Sequence, residues 1–362
     1  NMAISKIPNA GISNAVNFRN ILINGDMSVD QRSETATINA GSVTYNVDRF
    51  LGRGASSAGV FTLVQDTDSP DDFTNSLKAT VTTADSSLDS GVSYRVQQVV
   101  EGTNTTQLNW GTSSAKTVTL SFYVKSSVAG TFGGSLANGD YDRFNVFSYT
   151  INSVDTWERK TVTITGDTSG TWPTGTGLGI RVNWSLGAGA TYVGSAGSWG
   201  SSAKEGVTGQ TNLIETNSAT FRITGTQLEA GTTASDFEFL PFDINLRRCE
   251  RYYTVSQEVN EWGGFAAQDR NGIFAGRIGA YGNQPVHVRF PVRMRTVPTV
   301  TVYSLTGTSG NVSNTGTTAG SHSSNDNVST TRVSESGIGY LTGFAGTEAE
   351  GLAFQYEAEA EL

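Results

Sequence analysis

TVTLSFYVKS (117–126) alternates apolar and polar side chains along its length. Val118, Leu120, Phe122 and Val124 fall on one face of an extended chain, and Thr117, Thr119, Ser121 and Tyr123 fall on the other. That period of two belongs to a half-buried strand. A slip of one residue in pairing would turn the apolar row to water, so the register is strongly specified.

The same alternation recurs on both sides of it: VTYNVDRF, GVFTLVQD, SLKATVTT, VSYRVQQVV, RFNVFSYTI, ERKTVTITG, GLGIRVNWSL and ATFRITGTQLE. These runs are separated by clusters of Gly, Asn, Asp and Ser, with no helical periodicity between them. Such a pattern predicts an antiparallel sandwich of the jelly-roll kind rather than a parallel α/β sheet.

FDINLRRCERYY (242–253) is the one helical piece, with Asp243 placed to cap it and Ile244, Cys249 and Tyr252 or Tyr253 placed to face inward. Beyond it, VHVRFPVRMR, PTVTVYS, NVSTTRV, GYLTGFAG and LAFQYEAEAEL predict a second, smaller sandwich. Pro291 suggests an edge strand or a bulge there. In the last run Phe354, Tyr356, Ala358 and Ala360 alternate with Gln355, Glu357, Glu359 and Glu361, whose acidic face is expected in solvent.

The fold class expected is therefore all-β: two antiparallel, jelly-roll-like β-sandwich domains joined by a short helix. The divisions are 1–30, an N-terminal segment; 31–241, the first sandwich; 242–253, the helix; and 254–362, the second sandwich. A chain of 362 residues exceeds what one core usually serves, which agrees with two units. Two tracts, 186–210 and 307–327, read as long loops, the kind that is functional or disordered.

Composition narrows the chemistry. A formal net charge of −9 and a pI near 4.8, with no basic run, argue against nucleic acid as a partner. A single cysteine, Cys249, excludes a disulfide framework within the chain, and two histidines, His287 and His322, are too few for a multi-His zinc site. No apolar stretch approaches the ~20 residues that span a bilayer, so no membrane insertion is expected. The start, NMAISKIPNAG, lacks the apolar core of a signal peptide, and Asn1 ahead of Met2 reads as a trace of processing or cloning.

Three groups of residues invite a functional reading. Asp26 and Asp30 in RNILINGDMSVDQR (19–32) could form the acid and nucleophile of a glycoside hydrolase. The structural reading is stronger: Asn24-Gly25-Asp26 is a turn with Asp26 accepting backbone hydrogen bonds, while Asp30 and Arg32 pair across strands. In DTDSPDD, Asp66, Asp68, Asp71 and Asp72 offer oxygen ligands of the type calcium uses, without EF-hand spacing; the alternative is a solvated acidic loop. Trp172, Tyr192, Trp199 and Trp262 lie in or near glycine-rich turns, where an aromatic face can stack on a sugar, whereas Trp184 in RVNWSL reads as core. No nucleophile elbow, phosphate loop or dinucleotide fingerprint is present, so catalysis has no motif behind it.

NFRNILINGDMSVDQR with YNVDRF, then QLEAGTTASDFEFLPFDINLRRCERYY, then VRFPVRMRTVPTVTVYS with the terminal AEAEL, together resemble tailed-bacteriophage tail fibres and related virion appendage proteins. They bracket the chain from Asn17 to Leu362. Similar chains often carry a proline near Ser235 or Asp236 and an arginine at Leu240, and this chain departs there. The resemblance implies a jelly-roll domain similar to carbohydrate-binding modules, followed by a terminal β domain. It also implies a non-enzymatic homotrimer without cofactor, located on the virion after assembly in the host cytoplasm. Its expected partners are other virion proteins through the N-terminal segment, and a host cell-surface glycan such as lipopolysaccharide. A capsid decoration or head fibre with a structural role is the alternative, and a glycan depolymerase is a third reading.

Overall fold

The computed structural model describes residues 18–54, 59–256, 274–276, 282–305, 307–315, 322–327, 329–344 and 351–362. Fifteen strands precede the helix: β1 Ala36–Ile38, β2 Val43–Tyr45, β3 Phe50–Arg53, β4 Val60–Asp66, β5 Ser76–Thr83, β6 Ser93–Glu101, β7 Val118–Ser126, β8 Gly130–Asn138, β9 Phe144–Ile151, β10 Glu158–Ile164, β11 Leu178–Ala188, β12 Val193–Gly194, β13 Trp199–Gly200, β14 Gly206–Val207 and β15 Thr220–Ala230. They form a six-stranded sheet ordered β1-β4-β5-β15-β7-β10 and a seven-stranded sheet ordered β13-β9-β8-β11-β6-β3-β2, with β12 and β14 pairing separately. The pairings within the two large sheets are antiparallel.

The two sheets close on one apolar core. Val118, Leu120, Phe122 and Val124 are buried as the alternation predicts, and Phe122 meets Trp184 of the opposite sheet edge-on, with ring centroids 5.9 Å apart. Trp184 is fully buried, in keeping with its core reading. Across from this face, Thr119 and Ser121 are also buried, because the chain after β15 crosses the outer surface and Thr119 Oγ1 donates to the Gly231 carbonyl at 2.9 Å.

The segment expected to stand before the sandwich, 1–30, enters it. Residues 1–17 lie outside the described residues, but Ile21, Leu22, Ile23, Met27 and Val29 are buried. Ile21 N–H donates to the Leu228 carbonyl (2.9 Å) in one sheet, and Ile23 exchanges two hydrogen bonds with the Gln98 side chain in the other (2.8 and 2.9 Å). This stretch thus ties the two sheets together through their interior strands β15 and β6. Gly25 is required there: a Cβ would lie 2.1 Å from the Thr226 carbonyl oxygen.

Helix α1 (Phe242–Glu250) is shorter than expected, and Tyr253 already belongs to a strand. Asp243 does not cap it: Pro241 holds the N-cap position with no side-chain hydrogen bond, and Asp243 is exposed in the first turn. Its inward residues are Asn245 and Cys249, with Ile244 only partly buried. Asn245 Nδ2 donates to Asp26 Oδ1 at 3.1 Å and to Ser28 Oγ at 3.0 Å, so a polar contact seats the helix on the lead-in.

After the helix come β16 Tyr253–Val255, β17 Phe274–Gly276, β18 Gly282–Arg289, β19 Thr299–Tyr303, β20 Asn311–Thr315, β21 His322–Asn327, β22 Ser329–Ser334, β23 Gly337–Phe344 and β24 Gly351–Glu359. β24 is central, pairing with β16, β17, β19 and β20, while β18-β23-β22 form a separate three-stranded sheet. Val288, Phe290 and Ile338 of the small sheet pack with Val302, Phe354 and Tyr356 in a second apolar cluster. The tract 307–327, expected as a loop, holds the antiparallel pair β20 and β21. β18 lies on the edge of its sheet, with an irregular register between Pro285 and Val288.

Phe354, Tyr356, Ala358 and Ala360 are buried as expected, but the acidic face of β24 is not simply solvated. Glu357 accepts hydrogen bonds from Tyr253 (2.9 Å) and Tyr303 (2.6 Å), and Glu361 pairs with Arg49 and, at 3.5 Å, with Arg32. The C-terminal carboxylates are spent on cations and hydroxyls from distant parts of the chain.

Candidate functional site: a tryptophan cleft

Three tryptophans from separate loops converge at one end of the sandwich. Trp110 follows the short 3-10 turn Thr106–Leu108, Trp172 lies between β10 and β11, and Trp199 opens β13, opposite Asn145 of β9. Their ring centroids are 4.6 Å (Trp110 to Trp172), 5.3 Å (Trp110 to Trp199) and 5.4 Å (Trp172 to Trp199) apart, with interplanar angles of 78°, 72° and 85°. Edge-to-face packing sets the electropositive edge of one ring on the electronegative face of the next.

Each indole is also fixed by its N–H. Trp110 Nε1 donates to the Lys116 carbonyl at 2.7 Å, Trp172 to Ser169 at 3.1 Å and Trp199 to Thr165 at 2.7 Å. The supporting loop is held by a two-point ion pair from Arg143 to the buried Asp167, at 2.6 and 2.7 Å. That pairing holds the Arg143 guanidinium above its ordinary range. Gly111 has a left-handed φ of 83° and permits the close approach, since a Cβ would lie 2.8 Å from the Gly170 carbonyl oxygen and 3.1 Å from the Trp172 ring.

Trp110 is mostly buried, whereas Trp172 and Trp199 are half-buried. Beside Trp110 and Trp172 opens a cleft of ≈ 160 Å³, whose walls also include Thr105, Thr106, Asn109 and Thr112, while Trp199 packs on the two rings without lining it. None of the residues lining it is charged. Pockets that enclose a drug-sized ligand start at about 300 Å³, so this one has room for a single ring with the rest of a chain outside. Its hydroxyls, amide and aromatic surface complement the hydroxyls and C–H faces that a neutral sugar ring presents.

Of the four aromatics singled out in the sequence, Trp172 and Trp199 come together, Tyr192 stands elsewhere, and Trp262 lies outside the described residues. Tyr192 belongs to the tract 186–210, which folds back over the seven-stranded sheet instead of extending from it. Its carbonyl accepts from Glu205 N–H (2.8 Å), Gln210 donates to Ser185 (2.8 Å), and buried Glu205 pairs with Arg95 and with the Tyr141 hydroxyl. Trp110 was missed, although Asn109-Trp110-Gly111 places an aromatic beside glycine just as Trp199-Gly200 does.

The two carboxylates of the lead-in do not face each other across a substrate. Asp26 accepts from the Ser28 hydroxyl at 3.0 Å and from Asn245, and burial raises its pKa. Asp30 accepts from Ser33 N–H at 2.9 Å, and burial pushes its pKa up to about 7. The expected Asp30–Arg32 pair is replaced: Arg32 stacks on Tyr253, 3.7 Å from the ring centre, and approaches Asp48, Glu359 and Glu361.

The acidic loop is likewise committed to cations. Asp66 pairs with Lys78 (3.3 Å) and Arg222 (3.1 Å), and Asp68 with Lys125 (2.8 Å) and Arg222 (3.4 Å), while Asp71 and Asp72 are exposed. Against the raising effect of burial, the Asp68 N–H with Arg222 and Lys78 holds the Asp66 carboxyl below its ordinary range, and Lys125, the Trp157 indole and Arg222 do the same for Asp68. Among the described residues no group of three or more His, Cys, Asp or Glu side chains converges to hold a metal, which corrects the calcium reading.

No protein-family model and no curated protein matches the chain. Among solved structures it is similar to the enzymatically active domain of tailspike protein 4 of bacteriophage CBA120, at 11% identity and a TM-score of 0.31, over 59% of this chain and 22% of that one. It is also similar to the family 11 carbohydrate-binding module of Clostridium thermocellum in complex with a mixed-linked β-1,3-1,4 tetrasaccharide, at 13% identity and a TM-score of 0.28, over 51% of this chain and 91% of that one. A third is TmCBM61 in complex with β-1,4-galactotriose, at 11% identity and a TM-score of 0.30, over 59% of this chain and 99% of that one.

Proposed function

We propose that the chain is a non-enzymatic glycan-binding appendage of a phage virion, a tail fibre that attaches to a bacterial surface through the tryptophan cleft. The observation that carries the binding role is the convergence of Trp110, Trp172 and Trp199, each locked by its indole N–H, beside an uncharged cleft walled by threonine and asparagine. Rings fixed before the ligand arrives cost little ordering entropy on binding. What supports binding rather than hydrolysis is that no carboxylate lines the cleft, and that Asp26 and Asp30 are occupied inside turns.

The virion assignment rests on the three stretches that resemble fibre proteins. In this reading the chain forms two β-sandwich units on either side of the helix, the first of which includes the buried lead-in, it docks to other virion proteins, and the assembled form is a homotrimer. The test is binding of the purified chain to an array of neutral oligosaccharides and bacterial lipopolysaccharides, together with its mass by analytical ultracentrifugation. A trimer that binds selected glycans, and loses them in Trp172→Ala, agrees with the proposal. A monomer that binds neither the array nor host cells contradicts it.

A further inference from the structure

The outer face of the small sheet carries a second site of different chemistry. β23 is its central strand, and Gly337 and Gly339 there place no side chain on the floor of a groove of ≈ 420 Å³. One wall is His287 and Arg289 of β18, whose neighbours Val286, Val288 and Phe290 point into the core. The other wall is Arg332 and Ser334 of β22. A side chain at Gly339 would crowd Arg332, whose Cβ and carbonyl oxygen would both lie 3.3 Å from the added carbon.

Two irregularities shape these walls. The register of β18 shifts between Pro285 and Val288, the span that contains His287, and such shifts re-aim side chains. Arg332 has φ 53°, a left-handed conformation that a non-glycine residue in a strand rarely adopts. Its guanidinium lies 4.9 Å from the Tyr340 ring centre.

In a chain of net charge −9, His287, Arg289 and Arg332 face this groove and, among the described residues, none of them has an ion pair. The nearby Glu335 is taken by Arg293 at 2.5 Å. A lone carboxylate offers two oxygens in one plane and is satisfied by one guanidinium, whereas donors on opposite walls suit a group with acceptors in several directions. We infer that the groove between Arg289 and Arg332 binds a phosphate group. The site is independent of the tryptophan cleft, and it would let one chain read a neutral ring and a phosphate at separate places.

The test is calorimetric titration of the full chain with inorganic phosphate, with glucose 6-phosphate, and with phosphatidylglycerol vesicles. Saturable binding that falls about tenfold in Arg332→Gln and in Arg289→Gln, and is unchanged in Trp172→Ala, is the expected result. Tightest binding of glucose 6-phosphate assigns the phosphate to a sugar, tightest binding of vesicles assigns it to a lipid headgroup, and equal binding of inorganic phosphate assigns it to the free ion. Both arginines are exposed, so folding should survive their replacement, and Arg332→Lys should retain part of the affinity. Absence of saturable binding to all three probes, or equal affinity in the glutamine variants, overturns the inference.

Discussion

Between Asn20 and Arg32 the chain buries Arg32 and uses it, with Asp26, to hold the lead-in against helix α1 and the C-terminal residues. At the tryptophan cleft, by contrast, the lining has no charge, and the ion pair of Arg143 with Asp167 works from beneath the loop. The difference teaches where this protein spends its ions. A buried charge deprived of its partner is costly, so ions brought inside must be matched and serve as fastenings. A surface that exchanges water for a neutral ligand does better with rings and hydroxyls, whose desolvation costs far less than that of a charge.

That contrast can be broken at either end. The largest expected effect is Arg49→Ala: Arg49 is 1% exposed, pairs with Glu361, donates to the Val99 carbonyl and stacks 3.5 Å from the centre of Tyr252. Leaving Glu361 without it should cost roughly 3–5 kcal/mol in urea denaturation, with glycan binding by the folded fraction unchanged.

Asp30→Asn should act in the opposite direction and depend on pH. Because burial raises Asp30 from 3.8 to about 7, the folded state holds a proton that the unfolded chain releases. The stability this group contributes is full below 3.8 and is lost as pH rises through about 7. Asparagine keeps an acceptor for Ser33 N–H without the charge, so the variant should melt higher than the parent at pH 8 and converge with it near pH 4. A gap independent of pH would mean that Asp30 is not the titrating group.

Asp26→Ala should lower stability by about 1–3 kcal/mol through loss of the Ser28 and Asn245 contacts. Loss of glycan binding with stability unchanged would move Asp26 from fastening to function. Trp172→Ala should reverse that pattern, with affinity reduced about tenfold, or ~1.4 kcal/mol, and a smaller loss of stability than Arg49→Ala. The smallest effect is calcium: with Asp66 and Asp68 paired to Lys78, Lys125 and Arg222, addition of calcium or a chelator should leave the melting temperature unchanged.

The strands were legible because their side chains alternate within eight or nine residues, as Val118 to Ser126 does. β8 was not, since GTFGGSLAN breaks its apolar row with three glycines. One of them, Gly134, is needed because a Cβ would strike Phe147 and the Asn183 carbonyl. The position of β15 between β5 and β7 was equally hidden, as local pattern carries no information on distant pairing. At the cleft, Trp172 and Trp199 could be picked out by their glycine-rich surroundings, but their meeting with Trp110 depends on three loops. Arg32 was assigned to Asp30, two residues away, whereas Glu361 is over 300 positions distant in sequence. Spacing cannot reveal such a partner.

Binding of a glycan by the locked tryptophans is the proposal on which the attachment role depends. Indole fluorescence of the intact chain, titrated with the oligosaccharide that binds best on an array, tests it most directly. A saturable spectral shift is expected in the parent, weakened about tenfold in Trp172→Ala and in Trp199→Ala, and preserved in Asp26→Ala. Undiminished affinity in both tryptophan variants, with the protein folded, would contradict it.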